Sequence, residues 1–105
     1  MSKIRVVICL ADPDRKPYVT NISTSITNLE KMVGGRIDQM PFYGIDEGEY
    51  LVICNRFNFN QPYNCDIKGV EFYGDIIVAA KDGEDFGEIP RGFLPEFLKH
   101  YYERR

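Results

Sequence analysis

The alternation of hydrophobic and polar positions predicts mainly short strands. Residues 3–10 and 50–55 are apolar runs rich in β-branched side chains. They are too short for confident helices, which indicates central strands buried on both faces. Residues 72–80 form another strong strand pattern, and weaker patterns cover residues 18–22, 36–40 and 67–70. A polar turn with two prolines separates the first two strands and predicts a hairpin, and Pro41 is expected to end the strand over residues 36–40.

The helical period occurs first in the segment before the paired glycines. Ile26, Leu29 and Val33 recur at i, i+3 and i+7, which predicts the apolar stripe of a short helix. Ser, Thr and Asn residues at 24–28 offer N-cap oxygens. Gly34 occupies the position where a helix C-terminus needs a left-handed residue, and Gly35 lets the chain turn into the next strand.

A second helical pattern closes the chain. Its apolar stripe has the spacing i, i+3, i+4, i+7 and i+8, and Pro95 suits the first helical position. The residues of this stripe are Leu94, Phe97, Leu98, Tyr101 and Tyr102.

Together these elements predict one α+β domain spanning residues 1–105. It is expected to have two layers, with a mixed or antiparallel sheet of about five strands and two short helices. Two short helices leave apolar and aromatic surface uncovered, which favours a homodimer or higher oligomer.

Composition narrows the possible function classes. The net charge of −3 argues against sequence-independent nucleic-acid binding, which needs a basic face. No apolar run reaches the length of a membrane span and no signal peptide is recognisable, so we expect a cytosolic protein. Three cysteines without a secretory signal indicate reduced thiols. Cys9 and Cys54 are predicted in the core, and Cys65, in a loop, is predicted to be accessible.

Motifs for catalysis or metal binding are absent from the sequence. The glycines at 34 and 35 follow a helix, whereas phosphate-binding loops precede one. The acidic clusters near residues 12, 46 and 82 lack EF-hand spacing and are interpreted as solvated turns. Nothing in the sequence places Cys65 beside His100, the only histidine. We therefore predict a non-enzymatic protein without metal or cofactor, with an enzyme acting on a nucleotide as an alternative.

The segment after the buried strand at 50–55 is the best candidate site. Its amides can read donor and acceptor patterns, its aromatic rings can stack on a planar base, and its arginine can pair with a phosphate. This set suits a nucleotide-like ligand. The alternative is an irregular loop whose aromatics cover the sheet and whose amides cap its own backbone. The predicted ligand-binding residues are Arg56, Phe57, Asn58, Phe59, Asn60, Tyr63 and Asn64.

Three motifs in the chain resemble a small uncharacterised family found in phages and mobile elements of Gram-positive bacteria. They are Leu-x-x-Met-Val-Gly-Gly-x-Ile at 29–37, Leu-Val-Ile-Cys-Asn at 51–55 and Gly-Asp-Ile-Ile-x-Ala at 74–79. The family pattern usually has an Asn-Arg pair before the third motif. Here Asn64 is followed by Cys65, so a role for that arginine does not carry over.

The resemblance implies a small accessory protein acting in a bacterial cytoplasm. Such proteins often inhibit host defence, either by sequestering a nucleotide signal, as a molecular sponge, or by binding a host protein. For the second mode, the acidic surface and the C-terminal helix are the predicted contacts.

Overall fold

The protein, in a computed structural model that describes residues 3–101, has eight strands and two helices. The strands are β1 (Lys3–Cys9), β2 (Tyr18–Ser23), β3 (Ile37–Phe42), β4 (Tyr50–Asn55), β5 (Tyr63–Ile67), β6 (Val70–Tyr73), β7 (Ile76–Asp82) and β8 (Asp85–Gly87). The helices are α1 (Ile26–Val33) and α2 (Phe93–Tyr101), and a single 3-10 turn covers Asn58–Asn60.

Six strands form one antiparallel sheet in the order β2-β1-β7-β4-β3, with β8 paired to the far end of β7. β5 and β6 form a separate hairpin. The predicted α+β class with a largely antiparallel sheet and two helices is therefore confirmed, while the predicted count of about five strands was too low.

Successive side chains of a strand point to opposite faces of the sheet. The main sheet has apolar side chains on both faces, and both faces are covered. On one face Val6, Ile8 and Ile77 pack with Leu29 and Val33 of α1. On the other, a larger cluster joins the sheet to the β5–β6 hairpin and to α2. The two-layer prediction was wrong for this reason, since the hairpin and α2 add a layer on the face opposite α1.

Helix α1 begins and ends as the sequence indicates. The Ser25 hydroxyl accepts a hydrogen bond from the Asn28 N–H at 3.2 Å. Gly34 has φ +84° and donates its N–H to the Glu30 carbonyl at 2.9 Å. The stripe is narrower than predicted, since Leu29 and Val33 are buried but Ile26, in the first turn, is 56 % exposed.

Helix α2 is anchored in the larger core by three aromatic rings. Phe93, Phe97 and Tyr101 are buried, and successive ring centroids lie 5.6 Å apart. The helix begins two residues earlier than predicted, so Pro95 is its third residue rather than its first. Proline has no backbone N–H, but no hydrogen bond is lost at this position, because the N–H groups of the first turn have no partner within the helix. Tyr102, predicted in the stripe, lies outside the described residues.

The segment predicted as one long loop, residues 56–66, contains the 3-10 turn and most of β5. Strand β5 turns back at Lys68 and Gly69 into β6, so residues 67–70 are not one edge strand. The strand predicted over residues 72–80 is divided at Gly74 between β6 and β7. Strand β3 continues through Pro41, because β3 is an edge strand with one unpaired side.

All three cysteines are buried, so the prediction of an accessible Cys65 was wrong. Cys65 lies on β5, is part of the larger core, and is fully buried. Burial, with the nearby Asp38 carboxylate, raises the pKa of the Cys54 thiol to about 11. Burial and a hydrogen bond to Asp46 likewise raise the pKa of the Tyr50 phenol.

Neither helix within residues 3–101 is long and apolar enough to cross a membrane.

Candidate functional site

An open cleft of about 620 Å³ lies at one end of the main sheet. Four segments meet there: the chain leaving β1, the C-terminal turn of α1, the chain entering β5, and the break between β6 and β7. The lining residues are Ala11, Asp12, Pro13, Lys31, Met32, Val33, Gly34, Gln61, Pro62, Gly74 and Asp75.

Asn55, the last residue of β4, joins α1 to the loop that follows. Its side-chain N–H donates to the Val33 backbone carbonyl at 3.3 Å, and its side-chain oxygen accepts from the Phe57 N–H at 2.8 Å. A Cβ on Gly35 would lie 3.0 Å from the Asn55 amide nitrogen. Gly35 therefore allows the helix end to approach the sheet, and Asn55 fixes one wall of the cleft against the start of the loop.

A second buried asparagine joins three more elements behind the cleft. Asn64 donates to the carbonyls of Cys9 at 2.9 Å and Gly74 at 2.7 Å, and accepts from the Tyr101 hydroxyl at 2.7 Å. The side chain is fully buried. Its contacts join β1, the β6–β7 break and α2, so it holds the backbone on which the cleft is built.

The break between β6 and β7 supplies the most preorganised polar group. Gly74 has φ +76° and donates its N–H to the Pro62 carbonyl at 2.7 Å. A Cβ there would lie 3.2 Å from the Gln61 side chain. The next residue, Asp75, accepts the Ala11 N–H on one carboxylate oxygen at 2.9 Å. Asp75 is thus fixed at the cleft wall.

The charges that line the cleft are unbalanced. Asp12 and Asp75 are negative, while Lys31 is the only cation among the lining residues. The carbonyl groups at the C-terminus of α1 add partial negative charge. The cleft therefore suits hydroxyl and amine donors better than a bare phosphate.

The seven predicted ligand residues divide into three groups. Arg56, Phe57, Phe59 and Asn60 are exposed, and Asn58 is half-buried, around the 3-10 turn. Phe59 is 76 % and Phe57 58 % exposed, and neither lines the cleft. Tyr63 is partly exposed, with its ring edge-to-face against Tyr73 at 5.5 Å. Asn64 is in the interior and does not join the others.

None of the seven predicted residues lines the cleft. Asp12, Lys31, Met32 and Asp75 come from segments interpreted as turns, helix or strand. A signal was available at Gly74 and Asp75, because a glycine followed by a carboxylate within an apolar run is typical of a break in a strand. Within residues 3–101, no group of three or more His, Cys, Asp or Glu side chains is placed to hold a metal ion.

The chain matches the domain-of-unknown-function family DUF3846 over residues 4–102 and belongs to that family. No functionally curated protein and no solved structure matches it.

Proposed function

We propose that this member of the DUF3846 family is a binding protein that captures a nucleotide-like small molecule. The observation that carries the proposal is the position of Gln61 and Pro62. They form one wall of the cleft and directly follow the turn that exposes Phe57 and Phe59. Because Phe59 precedes Gln61 by two residues in the chain, we expect a ligand seated in the cleft to extend onto an exposed aromatic ring.

The cleft has the size and the lining of a small-molecule site. Its volume of about 620 Å³ falls in the range of roughly 300–1,000 Å³ that holds drug-sized ligands. Met32, Val33 and Pro62 provide apolar surface, and Gln61 provides an amide donor and acceptor. This combination favours a ligand with a flat apolar part and several hydrogen-bonding groups.

The acidic lining sets the orientation of such a ligand. Ribose hydroxyls or exocyclic amines would donate to Asp75, whose carboxylate is already fixed by Ala11. A phosphate would lie at the edge of the cleft beside the exposed Lys31, or outside the cleft toward Arg56 on the loop. The base would stack on Phe59, the more exposed of the two rings, a contact worth about 1–3 kcal/mol per base.

Capture without chemistry is the mode that the lining supports. Among the residues that line the cleft, the Asp75 carboxylate already accepts the Ala11 N–H, and the lining includes no hydroxyl, thiol or imidazole nucleophile. In the setting of a phage accessory protein, capture would remove a host defence signal from solution in the bacterial cytoplasm.

Thermal unfolding in the presence of cyclic nucleotides and ADP-ribose-type nucleotides tests the proposal. A ligand at a hundredfold excess over its Kd should stabilise the protein by about 2.7 kcal/mol. Mass spectrometry of the ligand released by denaturation should recover it unchanged. An altered product would instead establish the alternative, an enzyme acting on a nucleotide.

Two variants with a matched control locate the site. Phe59→Ala should weaken binding about tenfold or more, because one stacking contact is lost. Asp75→Asn keeps an oxygen to accept the Ala11 N–H but removes the charge, and should also weaken binding. Tyr43→Ala is the control. Tyr43 is 55 % exposed and directly follows the last residue of β3, at the end of that strand away from the cleft. Absence of a shift with every nucleotide, or equal losses in all three variants, would refute the proposal.

A protein ligand is the second candidate, favoured by the exposure of Phe57 and Phe59 outside the cleft. Exposed aromatics of this kind are enriched in protein interfaces. The predicted use of the C-terminal helix does not fit, because Phe97 and Tyr101 are in the core. A partner recovered from bacterial lysate that Phe59→Ala releases and Asp75→Asn retains would identify this mode.

A further inference from the structure

The outer edge of β2 is unprotected. In residues 3–101, β2 pairs only with β1, through six consecutive residue pairs from Tyr18 to Ser23 without a bulge. Its other side therefore presents a regular row of backbone donors and acceptors. Native proteins usually block such an edge with charge, proline or a bulge, because it otherwise pairs with another strand.

The two edges of the same sheet differ in this respect. Strand β3 carries Asp38 and Pro41, and both are exposed. Strand β2 has the sequence Tyr-Val-Thr-Asn-Ile-Ser, with no charged residue and no proline. Within the strands themselves, these devices are present in β3 and not in β2, although Pro17 directly precedes β2.

Apolar surface surrounds the β2 edge on both faces. Tyr18 and Val19 are each 41 % exposed, and the exposed Ile26 begins α1 shortly after β2 ends. On the face of α2, Val19 borders a recess of about 260 Å³ whose lining includes Ile89, Pro90 and Leu94. An added strand would cover part of this surface.

We propose that β2 is the interface of a homodimer, in which two copies of β2 pair antiparallel about a two-fold axis at Thr20. This proposal is independent of the proposed ligand. A two-fold axis perpendicular to the sheet places the same face of both copies on the same side. Paired residues point to the same face, so their positions in the sequence must differ by an even number. Centring on Thr20 places Tyr18 of each copy opposite Ile22 of the other, and Val19 opposite Asn21.

A second copy fits this edge because the pairing is self-complementary. Each Tyr18–Ile22 pair occurs twice, and aromatic rings opposite β-branched residues are favourable cross-strand pairs. Each chain has a net charge of −3, but β2 contains no charged residue. Pairing of two β2 strands therefore brings no like charges opposite one another. The result would be one continuous sheet across both copies.

Charge substitutions at the two-fold position test both the partner and the register. The native protein should have twice the 12.2 kDa chain mass in native mass spectrometry and in light scattering. Thr20→Lys and Thr20→Glu each place like charges opposite one another, so each variant alone should be monomeric. Mixed together, they place opposite charges at the axis and should form the heterodimer. Gln39→Lys, on the β3 edge, should leave the dimer intact.

The mixing experiment separates loss of pairing from loss of folding, since unfolded variants would not reassociate into a heterodimer. A monomeric native protein across a dilution series would overturn the proposal. So would a dimer that persists in both Thr20 variants, or one broken equally by Gln39→Lys. A mixture that stays monomeric while circular dichroism shows both variants folded would also overturn it.

Discussion

At the scale of single residues, the cleft depends on two asparagines whose side chains are buried. Asn55 and Asn64 together make five hydrogen bonds that join α1, β1, the β6–β7 break and α2. Polar side chains are retained in an interior when their hydrogen-bonding groups are satisfied. These amides replace the regular secondary-structure contacts that the broken strand gives up.

Replacement of Asn64 by alanine should therefore destabilise the protein strongly. The carbonyls of Cys9 and Gly74 and the Tyr101 hydroxyl would each lose the hydrogen bond to the Asn64 side chain, at about 1–3 kcal/mol for each bond lost in the interior. We expect a total loss of at least about 3 kcal/mol in urea unfolding. Asn60→Ala, at an exposed position nearby, should change the stability by less than about 0.5 kcal/mol. Similar midpoints for the two variants would contradict this role of Asn64.

Sequence reasoning could not separate these asparagines from their neighbours. Asn58, Asn60 and Asn64 have the same side chain and lie in one polar segment, yet only Asn64 is buried. The difference arises from the approach of β1 and α2, which are distant in the sequence. The sequence left the aromatic residues of the same segment open between stacking on a ligand and covering the sheet, and the structure leaves Phe57 and Phe59 exposed.

At the scale of elements, the local signals predicted the end of α1 at Gly34 and placed its start among residues 24–28. Ser25 caps the helix, and Gly34 ends it in the left-handed conformation that the sequence predicted. Elements stabilised by distant contacts were predicted poorly. Strand β5 has few β-branched residues and forms because β6 pairs with it and the larger core covers Cys65 and Ile67.

Gly34→Ala tests the contribution of the helix end. Because φ at Gly34 is +84°, a Cβ there should destabilise the protein by about 1–2 kcal/mol, measured by thermal or chemical unfolding. Gly34→Asn is the matched variant and should cost less, since asparagine adopts the left-handed conformation more readily. Equal losses for the two would show that crowding at the cleft, and not backbone conformation, determines the cost.

At the scale of the whole molecule, the sheet separates two cores that the sequence did not distinguish. The sequence predicted which residues are apolar but not that α1 and α2 lie on opposite faces. The apolar stripe of a helix predicts that one side of the helix is buried. It does not predict which face of the sheet the helix packs against. The cleft was missed for a related reason, since it is formed where the ends of four separate segments meet.

The two cores should contribute independently to stability. Leu29→Val in the smaller core and Phe97→Leu in the larger core should each cost on the order of 1 kcal/mol. The double variant should equal their sum to within about 0.5 kcal/mol, because the sites share no contacts. Chemical denaturation of the four proteins in this cycle measures the coupling. A coupling energy well above that limit would show that the sheet transmits strain between its faces.

The strand order also determines when the fold can be completed. β1 pairs with β2, and β3 with β4, as neighbours in the chain, whereas β7 lies between the two pairs and is made later. Two local hairpins can form early, but they remain separate until β7 pairs with both. Closing contacts of such long sequence separation is the slow step in folding. During synthesis, the emerging chain would therefore have two unjoined hairpins until β7 leaves the ribosome.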